Sequence, residues 1–232
     1  MEGIRRSATG RLTALILLCA AVSFLAGCGP SVKSYVVDMR YLYGGVPDGP
    51  DGRETITINV ARFRDGRTVP DKRVIGTVRA PWWSDGVPVV PKAGMPADIV
   101  TDGVKAQLSK GGFALSGPAP VWNLEEATMD KAWGRYVLGG VVEELYLAGK
   151  HDPPFSYNDA SVRITFVLGN TQTGTIKRFT QEKEGYQTLV SVNESDLERQ
   201  INSVLSQAIA EGLYEDRVRA ALREGSQPAP AR

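Results

Sequence analysis

The sequence has very few residues of the kinds that build disulfides and metal sites. Its 232 residues include two cysteines and one histidine. Cys19 lies within an apolar N-terminal stretch and Cys28 directly follows it, so the rest of the chain contains no cysteine. Zinc sites made of thiolates or several histidines are therefore excluded, and the folded part is stabilised without disulfides.

Neither sign of charge is in excess. The chain carries 27 lysines and arginines against 26 aspartates and glutamates. A nucleic-acid-binding protein needs a basic surface that neutralises phosphates, so the balanced charge argues against a nucleic-acid partner. Glycine-rich phosphate-binding motifs are also missing, and we predict that the protein uses no cofactor and no metal.

The N-terminal 27 residues have the parts of a secretory leader. Arg5, Arg6 and Arg11 supply positive charge, and an apolar run follows from Leu12 to Leu25. This run is shorter than the roughly 20 residues that a membrane-spanning helix needs. We therefore predict a signal peptide over residues 1–27.

The end of the leader, Leu25-Ala26-Gly27-Cys28, resembles the lipobox of bacterial lipoproteins at all four positions. The resemblance implies cleavage between Gly27 and Cys28, a diacylglycerol on the Cys28 thiol and a further acyl chain, such as palmitate, on its amine. Such chains hold a protein stably on a membrane, because each buried methylene contributes about 0.8 kcal/mol. Gly29, where aspartate would retain the protein, implies an outer-membrane anchor facing the periplasm; an inner-membrane anchor is the alternative. The competing interpretation is an ordinary leader that happens to contain cysteine.

The mature chain reads as one domain. We predict an acylated tether over residues 28–34, a single periplasmic domain over residues 35–223 and a disordered tail over residues 224–232. Alternating apolar and polar residues, or continuous apolar runs, favour strands. The predicted strands cover residues 35–43, 55–63, 72–79, 135–147, 161–168 and 175–179, and the proline-rich stretch 80–96 is predicted to be irregular.

Two helices are predicted between and after these strands. Over Asp98–Lys110 the apolar residues recur at helical spacing, and glycines follow. The last helix starts at Ser195, which forms a capping box with Glu198, and ends near Gly212. The order of elements predicts an α+β fold, in which two main helices pack on one face of a largely antiparallel sheet.

Several segments together resemble the YajG-like group of bacterial lipoproteins. They are Ile58–Asp65, Asp71–Gly76, Gly111–Phe113 and Tyr136–Gly140, in addition to the lipobox. The strand ending in Phe63-x-Asp-x-Arg67 is also similar to periplasmic lipoproteins of curli secretion and peptidoglycan-synthase activation. The resemblance implies an α+β fold with a binding or scaffolding role, and it brings no catalytic residues.

Three sets of polar residues have both a chemical and a structural interpretation. His151 precedes an aspartate, as a general base with an orienting carboxylate would, or it is an exposed loop residue. Glu143 and Glu144 are paired carboxylates, but consecutive strand residues point to opposite faces. Asp98 and Asp102 have the spacing of cation ligands, or they favour the start of a helix through its dipole. We expect the structural interpretation in each case, and no enzyme.

Trp82 and Trp83 are the most unusual pair in the sequence. Indoles in a loop stack on sugar rings, anchor a protein partner or pack onto their own domain. Trp122 and Trp133 flank another loop and are candidates to join them. We expect at least one of Trp82 and Trp83 to be accessible to solvent. The leading hypothesis is a non-enzymatic envelope lipoprotein with protein partners, and the alternative is a glycan- or peptidoglycan-binding module that uses this loop. An uncovered sheet edge favours the former, and an exposed tryptophan pair beside a pocket favours the latter.

Overall fold

The computed structural model describes residues 34–42, 56–81, 85–214, 218 and 220–222. These belong to the second of two compact units, which begins at Ser34. The predicted signal peptide, the predicted cleavage site at Gly27 and Cys28, the Trp82–Trp83 pair and the predicted tail lie outside the described residues.

The described residues form nine strands and two long helices. In chain order these are β1 Tyr35–Val37, β2 Thr57–Val60, β3 Arg64–Asp65, β4 Gly76–Arg79, β5 Val87–Pro91, α1 Pro96–Lys110, β6 Ala114–Leu115, β7 Tyr136–Asp152, β8 Phe155–Asn170, β9 Thr175–Leu189 and α2 Glu194–Gly212. Two short 3₁₀ turns, Glu126–Thr128 and Lys131–Trp133, precede β7.

All nine strands belong to one mixed sheet. The long strands β7, β8 and β9 are antiparallel neighbours, as predicted. The other edge of β7 pairs in parallel with the short strands β2, β3 and β4, and β5 and β1 extend the sheet beyond β4. The prediction of a largely antiparallel sheet therefore holds only for the long strands. Local alternation of residues marks a strand, but it does not encode the direction of its distant neighbour.

The strand β5 was predicted to be irregular because of its prolines. In the structure it lies between β1 and β4, with Val87, Val89 and Pro91 buried and Pro88 opposite Thr77. Proline removes a ladder donor, but the ladders on both sides of β5 are only three pairs long, so little pairing is lost. The alternating valines outweigh the prolines here.

Both helices lie close to their predicted bounds. Pro96 occupies the start of α1, where its missing amide hydrogen costs nothing, and Gly112 after the helix has the left-handed φ of 75° that the sequence predicts. In α2 the predicted capping box is wrong. The N-cap is Asn193, whose side chain accepts a hydrogen bond from the Asp196 amide at 3.0 Å, two residues before Ser195.

The main core is formed by the two helices and one face of the sheet, called here the inner face. Ile201, Leu205 and Ile209 of α2 are fully buried in it, together with Ile164 and Phe166 of β8. A second, smaller cluster lies on the outer face near the start of β7. It contains Ala61, Val137 and Val167 under the loop residues Trp122 and Leu124.

Because the stripe of α2 is completely buried, Leu205→Ala is expected to lower the free energy of unfolding by about 2–5 kcal/mol. The matched control is Gln207→Ala, two residues further along the helix and exposed to solvent. Urea denaturation of both variants measures the difference. A loss below about 0.5 kcal/mol for Leu205→Ala would mean that α2 is not part of the cooperative core.

Candidate functional site

Trp122 and Trp133 pack with each other instead of forming an exposed aromatic surface. Their rings make an edge-to-face contact with centroids 6.5 Å apart. Trp122 is only 1% exposed, and its indole nitrogen donates to the Glu125 carbonyl at 3.1 Å. Both residues therefore support the fold. The Trp82–Trp83 pair lies outside the described residues, between the ends of β4 and β5.

His151 lies at the end of β7, so its prediction as an exposed loop residue is wrong. The side chain is half-buried, and Nδ1 is 2.7 Å from Oγ of Ser156 on β8. The neighbouring Asp152 accepts a hydrogen bond from Lys150 at 2.8 Å. His151 thus bonds to β8, and Asp152 bonds to a lysine of its own strand.

Glu143 and Glu144 lie on the same face of the sheet, which corrects the prediction that they point to opposite faces. The pairing of β7 with β8 shifts by one residue between Val142 and Glu144. This bulge turns both carboxylates to the outer face, where Glu143 accepts from Thr165 at 2.6 Å and Glu144 accepts from Ser161. Gly139 and Gly140 precede this bulge in β7, and two glycines inside a strand are typical either of a bulge or of a close approach to the backbone.

The close approach is the correct alternative for these glycines. A Cβ atom on Gly140 would lie 2.3 Å from a ring carbon of Phe63, and one on Gly139 would lie 2.9 Å from Leu124. Both contacts are too short for any side chain at these positions, so the sheet and the segments beside it pack through bare backbone here.

An arginine stands between carboxylates on the outer face. Arg163 of β8 binds Glu182 of β9 through two hydrogen bonds, at 2.8 and 3.0 Å, and lies 3.4 Å from Glu144. The hydrogen bond from Arg163 holds the pKa of Glu182 below its usual value. The two glutamates of β7 are therefore part of an ion-pair and hydroxyl network that joins three strands.

Asp98 and Asp102 do not form a cation site with other residues. Asp102 is 3.7 Å from Lys105 on the same helix. Within the described ranges, no group of three or more histidine, cysteine, aspartate or glutamate side chains is placed to hold a metal ion. Both aspartates lie in the first half of α1, Asp98 in its first turn, where negative charge complements the helix dipole.

Tyrosines dominate the rest of the outer face, towards the β7–β8 turn. Tyr157 and Tyr186 stack with ring centroids 6.0 Å apart. Tyr186 is 66% exposed, and Tyr146 is also exposed, with its hydroxyl 3.3 Å from Oγ1 of Thr77. The sequence did not predict this surface, because β9 was expected to end at Phe179. The alternation of residues 180–189 is typical of a strand. Because most of these residues are polar, the predicted strand did not include them.

The two long sides of the sheet differ in how their backbone is covered. β9 is fifteen residues long and pairs with β8 along one edge, and no described strand pairs with its other edge. β1, in contrast, pairs with β5 on one side and meets α2 on the other. The prediction of an uncovered edge as a mark of a protein-binding surface applies to β9.

A ladder of side chains from α2 covers the free edge of the N-terminal segment. We call residues 36–42 the strap. Alternate amides of the strap, Val36, Asp38, Arg40 and Leu42, donate to Glu194, Glu198, Asn202 and Ser206 at 2.9, 3.1, 2.8 and 2.7 Å. Asn202 also donates to the Asp38 carbonyl at 2.9 Å.

The hydrogen bonds between the strap and α2 recur regularly because the spacing of donors along the strap nearly equals the spacing of acceptors along the helix. Four helical residues advance by about 6 Å, and two extended residues advance by about 6.6 Å. In the sequence, the acceptors of this ladder are visible as four polar residues at intervals of four along α2. The predicted strand over residues 35–43 is consequently shorter, since the strap bonds to side chains after Val37.

One ion pair is buried at the end of β3. Arg67 has a side chain only 3% exposed and binds Asp65 through two hydrogen bonds, at 2.7 and 3.0 Å. It also donates to the carbonyls of Val74 and Leu145. Burial by itself would raise the pKa of Asp65, but the hydrogen bonds and charge of Arg67 lower it below its usual value. Through these hydrogen bonds, the ion pair holds the Phe63-x-Asp-x-Arg67 segment against β7.

No protein-family model matches the sequence, and no curated protein matches it. Solved structures are similar in fold. Protein XCC0632 of Xanthomonas campestris, from the family DUF330, matches with a TM-score of 0.51 at 14% identity, over 83% of this chain and 99% of its own. That similarity shows a shared fold.

Two other solved structures match less well. Protein CT253 of Chlamydia trachomatis has a TM-score of 0.42 at 12% identity, over 73% of this chain and 98% of its own. Lipoprotein GNA1162 of Neisseria meningitidis has a TM-score of 0.34 at 13% identity, over 66% of this chain and 96% of its own. No helix in the described part of the chain is long and apolar enough to span a membrane.

Proposed function

We propose that the chain is a non-enzymatic lipoprotein of the bacterial cell envelope, of the YajG-like kind. It is anchored by lipid on Cys28 to the outer membrane, faces the periplasm and serves as a binding or scaffolding component of a protein assembly. The lipobox supports the anchor. The observation that carries the binding role is the edge of β9, which no described strand covers.

The edge of β9 has the properties of a selective docking strand. An exposed strand edge binds a strand of a partner through main-chain hydrogen bonds, as in β-augmentation. Charges on β9, among them Lys177, Arg178 and Glu184, disfavour indiscriminate pairing with other strands. The adjacent tyrosines of the outer face offer the aromatic contacts that are enriched in protein interfaces.

The polar groups that resemble catalytic pairs support a non-enzymatic role. Glu143 and Glu144 accept hydrogen bonds from hydroxyl groups on β8, and His151 is bonded to Ser156. These side chains join strands to each other. The serine that His151 contacts, Ser156, is fully buried in the sheet and is not open to a substrate.

Site-specific photocrosslinking tests the role of β9. A photoreactive residue is placed at Thr180 or at Glu184, both of which are exposed on β9. In intact cells, each position is expected to crosslink to one protein, and the two adducts are expected to have the same mass. The matched control is Gln207, which is exposed on α2. Equal adducts at Gln207, or no adduct on β9, would contradict the proposal.

The stacked tyrosines favour glycan binding as the second candidate function. The exposed ring of Tyr186 against Tyr157, with Asp159 opposite Tyr186 in the sheet, resembles a platform for a sugar ring. Sedimentation with peptidoglycan sacculi separates the two functions. Loss of sedimentation in Tyr186→Ser, with β9 crosslinks unchanged, would assign the outer face to glycan.

A further inference from the structure

Two independent ladders fix the direction in which the chain enters the domain at Ser34. β1 pairs with β5 from Tyr35 opposite Val89 to Val37 opposite Pro91. The strap runs along α2 from its first turn towards its last. Followed backwards, from Val37 to Ser34, the chain therefore heads towards the end of the molecule at which α2 begins.

The same end contains the turn between β7 and β8. We call residues 150–156 and 189–193 the hairpin pole. Ser156 pairs with Leu189 in the sheet, and its hydroxyl donates to the Val190 carbonyl at 3.5 Å. Arg79, the last residue of β4, lies opposite Lys150 and so reaches the pole as well. The pole thus contains ends of four strands, β4, β7, β8 and β9, and the N-cap of α2.

Large apolar side chains are exposed at this pole. Val190 is 84% exposed and Phe155 is 52% exposed. The charges beside them pair with each other, since Lys150 bonds to Asp152. The pole therefore presents exposed apolar side chains beside one ion pair and the charge of Arg79. Water is a poor environment for such a surface.

The tether keeps this pole near the lipid. Six Cα–Cα steps separate Cys28 from Ser34, so the two residues are at most about 20 Å apart. β7, with seventeen residues, is about 55 Å long. A short tether that enters at the pole can place only this end of the sheet against the membrane.

We propose that the hairpin pole lies on the bilayer that holds the Cys28 lipid, with Phe155 and Val190 among the lipid headgroups. This inference rests on the lipid anchor of the proposed function. Aromatic and apolar side chains are favoured at the membrane–water boundary, where they leave water without entering the hydrocarbon core completely. Because the strap is held to α2, the domain is oriented with the hairpin pole on the membrane. β9 and the outer face then remain accessible to a partner.

Vesicles that carry the complete lipidated protein test this orientation. Single cysteines replace Phe155, Val190 or, as the matched control, Val121, which is 82% exposed. Val121 follows Pro120, whose carbonyl binds Arg62 beside the first residues of β7, about 40 Å along the strand from the pole. Each cysteine is labelled with an environment-sensitive fluorophore, and vesicles are made from phosphatidylethanolamine and phosphatidylcholine with or without brominated chains.

The expected result is a shift of emission to shorter wavelength and quenching by brominated lipid at positions 155 and 190, with neither at 121. Absence of quenching at 155 and 190, or equal quenching at all three positions, would overturn the proposal. A shift without quenching would place the pole against protein and would overturn it too. Each label occupies a position that is more than half exposed, and circular dichroism checks that the variants are folded.

The parent protein without an added cysteine separates this inference from the anchor itself. If Cys28 is acylated, the mature parent has no free thiol and takes up no maleimide. Uptake of maleimide by the parent would overturn the lipid anchor and the orientation together. An unreactive parent with unquenched labels at the pole would overturn the orientation alone.

Discussion

Cys28→Ser is expected to abolish lipid attachment completely. Serine has no thiol, so no thioether-linked diacylglycerol forms at that position, and cleavage that depends on the lipidated cysteine does not follow. The variant should remain an uncleaved precursor or leave the membrane fraction. Metabolic labelling with an alkyne fatty acid, followed by gel electrophoresis, measures the effect as the loss of the labelled band.

Cys19→Ser is the matched control for this experiment. Cys19 lies inside the apolar run that is predicted to be removed as a leader, so labelling should be unchanged. Labelling of Cys28→Ser at the level of the parent would refute the lipoprotein interpretation. Loss of labelling in Cys19→Ser would instead show that the leader is not removed as predicted.

Local sequence patterns predict the elements whose own residues determine them. Val100, Val104 and Leu108 recur at helical spacing, and all three are buried in α1. The turn between β8 and β9 falls between Asn170 and Thr175, where the sequence is rich in glycine, threonine and asparagine. In both cases, residues that are close together in the sequence determine the burial pattern and the end of the element.

Patterns fail where a distant residue decides the structure. Asp38 and Arg40 leave the sheet because side chains of α2, about 160 residues away in sequence, take their amides. Glu143 and Glu144 share a face because the register against β8 shifts there, which no spacing within β7 reveals. The relation between two segments, and not the preference of either, sets the outcome.

The candidate surfaces show the same division. A long polar strand that alternates with tyrosine is visible in residues 175–189, but its status as an edge depends on which strands lie beside it. The four polar residues spaced along α2 read as an ordinary solvated stripe until the strap is placed on them. Prediction from the sequence therefore located the two helices, and it missed the β9 edge and the hairpin pole, while the lipid anchor stays a prediction.

Asp65→Asn is expected to lower the free energy of unfolding by about 3–5 kcal/mol at pH 7. The substitution keeps the shape of the side chain and removes its charge, so Arg67 stays buried without a counter-charge. Three carbonyls, of Lys72, Val74 and Leu145, still accept from Arg67, but they do not neutralise it. The matched control is Asp102→Asn, since Asp102 has a side chain 79% exposed and pairs with Lys105 at 3.7 Å. Its loss should be small, as for other exposed ion pairs.

The loss of unfolding free energy in Asp65→Asn should depend on pH in a defined direction. The pKa of Asp65 is lower in the folded protein than its usual value of about 3.9. The carboxylate therefore stabilises the fold fully above that value, and the contribution disappears as pH falls through the folded pKa. The difference between parent and Asp65→Asn should be constant from about pH 5 to 7 and should shrink below about pH 4.

A double-mutant cycle with Arg67→Met completes the test of this pair. Once Asp65 is neutral, removing the arginine also removes the unpaired buried charge, so the double variant should lose less than the sum of the single losses. Urea denaturation at pH 7 and at pH 3.5 supplies the four free energies at each condition. If Asp65→Asn loses less than about 0.5 kcal/mol at pH 7, or if the losses add, the pair does not hold β3 to β7 through its charge.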